Sequence, residues 1–111
     1  MDMSFPCPIE VTVNLIGDKW KVLIMRNLLP LGTQRFAELD KGINGISQKM
    51  LTQQLRKLET DGLIFRKVYA EVPPRVEYSL TEFGLSLKPI FYALHMWGTN
   101  YIQSDNYKEV K

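Results

Sequence analysis

Five polar side chains in one stretch, Gln48, Lys49, Thr52, Gln53 and Arg56, are spaced so that a helix gathers them on one side. Lys49, Thr52, Gln53 and Arg56 stand at i, i+3, i+4 and i+7, the separations that place side chains on a common helical face. Their chemistry suits the edges of base pairs. A carboxamide such as that of Gln53 can pair with adenine through two hydrogen bonds, and Arg56 or Lys49 with guanine. Ser47, just ahead, sits where the free N–H groups of a helix start can meet a phosphate. Two further cations can touch a nucleic-acid backbone: Arg35 upstream, and Arg75 directly after Pro73 and Pro74 at the tip of a hairpin, where a minor-groove contact is also open to it. The plain alternatives are a solvated polar face on the helix and an exposed arginine in a turn.

The remaining reactive side chains stand alone. Cys7 is the single cysteine, so an intrachain disulfide and a cysteine cluster for zinc are both excluded. If Pro8 is the first helical residue, Cys7 is its N-cap, where the helix dipole and unpaired N–H groups favour a thiolate and reactivity toward oxidants or electrophiles. Any protein disulfide must then link two subunits; otherwise the product is a mixed disulfide or an adduct. The alternative for Cys7 is a small buried hydrophobe. His95 is the single histidine and reads as an interface or surface residue rather than a ligand. The chain has no glycine-rich phosphate loop, no metal-ligand spacing and no assembled Ser, His and Asp set, so catalysis, a cofactor and a metal are not expected.

These residues need a scaffold, and 111 residues supply one domain. Apolar residues at 45% and charged residues at 23% are ordinary for a soluble fold. No stretch approaches the roughly 20 apolar residues of a membrane span and no charged-then-apolar leader opens the chain, so a cytoplasmic protein without a membrane partner is expected. The net charge of +2 does not by itself indicate nucleic acid. Its distribution is more informative. Between Ser47 and Tyr69, Lys49, Arg56, Lys57, Arg66 and Lys67 face only Glu59 and Asp61, a local excess of +3.

Along the chain, Ile9 to Ile16 fits either a strand, by alternation of Ile9, Val11, Val13 and Leu15, or a helix, by the stripe Ile9, Val13 and Ile16. Gly17 stops it and Asp18 can cap the next helix, whose buried stripe is Trp20, Leu23, Ile24 and Leu28 and which ends near Pro30 and Gly32. Phe36, Leu39 and Ile43 predict about two helical turns within Arg35 to Gly42. After the Asn44-Gly45 turn, Ser47 predicts an N-cap for a helix from Gln48 to Asp61, with Leu51, Leu55 and Leu58 inward and Gly62 as a left-handed C-cap. Ile64 to Tyr69 and Val76 to Leu80 alternate as the two strands of a hairpin whose tip holds the prolines. Thr81 can cap a final helix carrying Phe83, Leu87, Ile90, Leu94, Trp97 and Tyr101 at heptad-like spacing, kinked at Pro89 at a cost of about 3 kcal/mol unless context compensates. Helix, helix, short helix, turn, longer helix, hairpin, helix is the order of a winged helix-turn-helix: mainly α with a small antiparallel β-hairpin. In such a fold the second helix of the pair enters the major groove.

The runs GISQKMLTQQLRKLETDGLI (Gly45 to Ile64) and PPRVEYSLTEFG (Pro73 to Gly84) are quotable signatures. With Cys7-Pro8, Ile16-Gly17-Asp18-Lys19-Trp20-Lys21 and Arg35-Phe36-Ala37-Glu38-Leu39, they strongly resemble the HxlR family of bacterial transcription regulators. The likeness runs from about Cys7 to Tyr101, which sets the domain at 7–101 with an arm at 1–6 and a polar tail at 102–111. The resemblance implies a homodimer, bound to palindromic operator DNA and built through its first and last helices, and it favours helix for the opening segment. A two-fold dimer sets its reading helices about 34–36 Å apart. On that basis Leu87, Ile90, Leu94, Trp97 and Tyr101 would hold the halves together against Ile9, Val13 and Ile16 of the partner subunit, unless some of them fill the monomer core. Some members of the family sense oxidants, quinones or aldehydes through a cysteine near the N-terminus, and Cys7-Pro8 matches that position. The expectation is a regulator, most simply a repressor, switched by a small oxidant or electrophile at Cys7. The competing reading is a winged helix that docks on another protein and has no operator.

Overall fold

Proline at a first helical position decides the ambiguous opening segment. In the computed structural model, which describes residues 5–108, Pro8–Ile16 is a helix (α1) with Cys7 at its N-cap. The outer parts of the expected arm and tail, residues 1–4 and 109–111, lie outside the described residues. Asp18 caps α2 (Lys19–Leu31) as expected, its carboxylate accepting from the N–H groups of Trp20 at 2.8 Å and Lys21 at 3.4 Å. Pro30 falls in the last turn of α2, and Gly32 follows with a φ of 75°, a conformation open to glycine.

The chain continues through β1 (Gln34–Arg35), α3 (Phe36–Gly42), α4 (Gln48–Thr60), β2 (Ile64–Tyr69) and β3 (Arg75–Leu80). The last two helices are α5 (Glu82–Leu85) and α6 (Lys88–Ile102). The hairpin of β2 and β3 forms as expected and gains one strand, while one other expectation needs correction. The hairpin is part of a three-stranded antiparallel sheet in the order β1-β3-β2, with Gln34 opposite Tyr78 and Arg35 opposite Glu77. The added strand is two residues long and polar, so no alternation could mark it. Gln34 is nevertheless buried, its amide N–H donating to the Asn27 carbonyl at 3.2 Å. The correction concerns Pro89. It does not kink the interior of one long helix but falls in the first turn of α6, where a missing N–H costs nothing in the helical ladder.

The core lies where α2, α3 and α4 meet the base of the sheet. Ile24, Met25 and Leu28 of α2, Leu39 of α3, and Leu51, Leu55 and Leu58 of α4 are fully enclosed with Ile43 and Leu63. Trp20 and Leu23, expected in the α2 stripe, are half-buried at its margin, while Met25 takes the interior. Thr81 fastens the sheet to the end of α4. Its hydroxyl donates to the carbonyl of Gly62 at 2.6 Å, and its oxygen accepts from the Gly84 N–H at 2.9 Å to cap α5. Beyond this body the chain is extended. The radius of gyration is 16.0 Å and the longest dimension 52 Å, against about 13 Å expected for a compact 100-residue domain. No residue of α6 is buried.

Candidate nucleic-acid interface

The α4 helix is defined at both ends by its own sequence. Ser47 Oγ accepts from the Met50 N–H at 3.1 Å, as its N-cap position predicts. At the other end Gly62, at φ 78°, allows its N–H to reach the Glu59 carbonyl at 3.0 Å and the Leu63 N–H to reach the Leu58 carbonyl at 2.9 Å. That paired closure is the Schellman arrangement, and Leu58 and Leu63, both buried, provide its apolar contact. Between these ends the helix divides as its spacing demands. Leu51, Leu55 and Leu58 are enclosed; Gln48, Lys49, Gln53 and Arg56 are exposed, and Thr52 is half-buried.

None of the described residues covers the row formed by Lys49, Gln53 and Arg56. Among the described residues, Lys49, Gln53 and Arg56 take part in no ion pair and no side-chain hydrogen bond. Donors and acceptors of the kind that read base edges therefore stand free in one row. Gln54 is the polar residue of α4 that points the other way. It is 4% exposed, its amide N–H reaches Met50 Sδ at 3.3 Å, and among the described residues its Oε1 has no partner.

Arg56 lines a cleft of about 240 Å³ together with Thr52, Leu55, Glu59, Arg66 and Tyr78. Glu59 pairs with Arg66 at 3.5 Å there. Burial pushes the Tyr78 phenol above its usual range, opposed by the positive charge of Arg66. Arg66, one of the cations in the local charge excess, thus stands beside the polar face and shares a cleft with Arg56.

The two outlying arginines are brought together at the wing. Both line a hollow of about 380 Å³ that runs from Arg35, Phe36 and Ala37 to the tip residues Glu71 to Val76. Arg35 is exposed at the N-cap of α3, where its N–H donates to Glu38 Oε1 at 2.9 Å. Arg75 is more constrained than a turn arginine. Its guanidinium contacts Glu71 at 3.3 Å and Glu77 at 3.6 Å and lies over the Tyr69 ring at 3.9 Å. The strand alternation yields only one enclosed residue on β2, Ile64; Phe65 and Val68 are exposed because the wing projects past the core.

The residues assigned to subunit contact also separate. Ile16 belongs to the core and Leu87 packs against it. Ile9, Val13, Ile90, Leu94, Trp97 and Tyr101 are exposed, Trp97 to 69%. Trp97 and Tyr101 stack on each other at 5.3 Å between ring centroids. Cys7 is half-buried at the α1 N-cap, and its side chain makes no capping hydrogen bond. His95 is exposed on α6. Among the described residues no group of His, Cys, Asp and Glu is arranged to hold a metal, and no helix is long and apolar enough to cross a membrane.

Residues 15–106 match the HxlR-like helix-turn-helix family. The chain belongs to that family. It is 50% identical over 95 residues to the HTH-type transcriptional regulator YdeP of Bacillus subtilis strain 168, covering 86% of this chain and 73% of YdeP. Among solved structures, the redox regulator HypR in its reduced form superposes with a TM-score of 0.81 at 47% identity, over 85% of this chain and 92% of that one. The oxidised form of HypR gives 0.81 at 44% identity, over 94% and 100%. The winged helix-turn-helix architecture is that of these proteins, and as an HxlR-family member the chain is a helix-turn-helix transcription regulator rather than an enzyme.

Proposed function

We propose that this regulator binds a palindromic operator as a homodimer and represses from it, with α4 in the major groove. The observation that carries the proposal is the free polar face of α4, where Lys49, Gln53 and Arg56 stand exposed and without partners among the described residues while the leucines of the same helix are enclosed. Gln48 and Thr52 extend the reading face, and Ser47 at the helix start is placed for a phosphate. Arg35 is the second backbone contact. Arg75 joins it on the wing, once a phosphate competes with Glu71 and Glu77 for its guanidinium.

The dimer is supported by what the single chain leaves uncovered. Ile9 and Val13 of α1 and Ile90, Leu94, Trp97 and Tyr101 of α6 are large exposed apolar side chains on two helices of which only Ile16 is buried. Large apolar side chains left exposed together in this number mark an interaction site. We assign the switch to Cys7. Support comes from its place at a helix N-terminus, and from a redox regulator, seen in reduced and oxidised forms, among the structures the chain resembles. Oxidation would join two Cys7 thiols, one per subunit, with two electrons and two protons passing to the oxidant; a quinone or aldehyde would instead add to one thiolate. The cytoplasm is the compartment where such a regulator meets DNA.

Selection of bound oligonucleotides from a random pool, with and without diamide, tests the proposal. It should enrich an inverted repeat with half-sites about one helical turn apart, and diamide should change the yield for the wild type but not for Cys7→Ser. A pool with no enriched sequence counts against the operator and returns the protein-docking alternative. An equal diamide response in Cys7→Ser removes the switch.

A further inference from the structure

We propose that the cleft between the start of α2 and the end of α4 binds a phosphate-type oxyanion through Lys21, Arg56 and Lys57. The cleft measures about 220 Å³ and is lined by these three cations with Thr60 and Asp61. Lys21 points most directly to an occupant. It is only 9% exposed, yet among the described residues it forms no ion pair and no side-chain hydrogen bond. The stem is covered by its neighbours while the ammonium keeps its contact with solvent at the cleft wall, as long cationic side chains do. A lysine held in that state on the wall of a cleft suits an anion that arrives from outside.

The charges around it fit the same occupant. Three cations against the carboxylate of Asp61 leave an excess of +2, enough to hold a phosphate group, whether a monoester near two negative charges or a backbone diester with one. Lys57 is in the last turn of α4, where the negative end of the helix dipole favours a cation and disfavours a lone anion. The oxyanion is therefore held by side chains and not by backbone N–H groups, and the Thr60 hydroxyl supplies a neutral donor beside them. Asp61 restricts entry to ligands with enough charge to outweigh it. Arg56 lines this cleft and also the one shared with Arg66 and Tyr78, so an occupant here engages a residue of the proposed reading face. The phosphate has two possible sources, the DNA backbone or a free phosphorylated molecule.

The test is thermal unfolding of the whole chain in inorganic phosphate against sodium chloride at equal ionic strength, for wild type, Lys21→Met and Lys57→Gln. Phosphate should raise the wild-type Tm saturably and beyond chloride. Lys21→Met should weaken phosphate about tenfold or more, the loss of one charge-assisted contact. Lys57 is exposed, so Lys57→Gln keeps the fold and should weaken phosphate severalfold even if Lys21→Met fails to fold. Equal responses to phosphate and chloride overturn the proposal, as does a phosphate response retained in both variants. A salt series with duplex DNA separates the sources. A backbone phosphate in the cleft lowers the slope of log K against log salt by about 1 in Lys21→Met or Lys57→Gln. A free ligand leaves that slope alone and loses only the phosphate response. Absence of any DNA binding would defeat the operator proposal and leave the phosphate response standing, so the two fail separately.

Discussion

Replacing Gln53 with alanine separates recognition from folding. The side chain is exposed on α4 and makes no hydrogen bond within the described chain, so its removal opens no cavity and strands no buried partner. Alanine is also the slightly better helix former. Folding free energy should therefore change by no more than about 0.5 kcal/mol. If the carboxamide grips an adenine edge through two hydrogen bonds, binding to the operator loses about 1–3 kcal/mol. At 1.4 kcal/mol per decade that is a roughly 5- to 150-fold rise in Kd. Glutamine carries no charge, so affinity for unrelated duplex and the salt slope should both stay as they were. Fluorescence anisotropy on selected and scrambled duplexes at several salt concentrations reads all three quantities, with thermal unfolding as the control. An operator Kd within about twofold of wild type, in a variant with unchanged Tm, would refute the assignment of this face to base reading.

The other expectations follow from the same geometry. Leu55→Ala should lower stability by about 2–5 kcal/mol in denaturant titration, because the side chain is almost fully enclosed between α4 and its neighbours. Ser47→Ala removes the acceptor for the Met50 N–H and should cost about 1 kcal/mol, with hydrogen exchange faster in the first turn of α4. Trp97→Asp should convert a dimer to a monomer in sedimentation at unchanged helix content; a dimer that survives contradicts the α6 seam. The raised pKa of Tyr78 means that above about pH 10 the unfolded chain releases this proton while the folded chain still holds it, so stability falls as pH rises. Tyr78→Phe should flatten that alkaline decline relative to wild type, and an identical decline in both proteins would show that the phenol is not its source.

The parts legible in the sequence are those where one residue type has one structural use. Ser47, the leucines at 51, 55 and 58, and Gly62 each specify α4 locally, and the structure places all of them as their chemistry demands. Asp18 and Thr81 are read as caps for the same reason. Partners distant in sequence determine the rest. Gln34 forms a strand because Tyr78 lies opposite and Asn27 offers a carbonyl, neither of which a local pattern can announce. Pro89 has two meanings, a kink or a helix start, and only the turn at Ser86 and Leu87 decides between them. At the interface, the row on α4 follows from helical spacing alone. The restraint of Arg75 by Glu71 and Glu77, the covered stem of Lys21 and the approach of Arg66 to Arg56 arise from tertiary packing.

The central claim is that the polar side of α4 lies against DNA, and amide chemical-shift mapping during titration with the selected duplex tests it most directly. The account predicts that the largest perturbations fall on Ser47 to Arg56, with smaller ones at Arg35 and around the wing at Arg75. Saturable binding that leaves the α4 amides unmoved and shifts only residues elsewhere would contradict it.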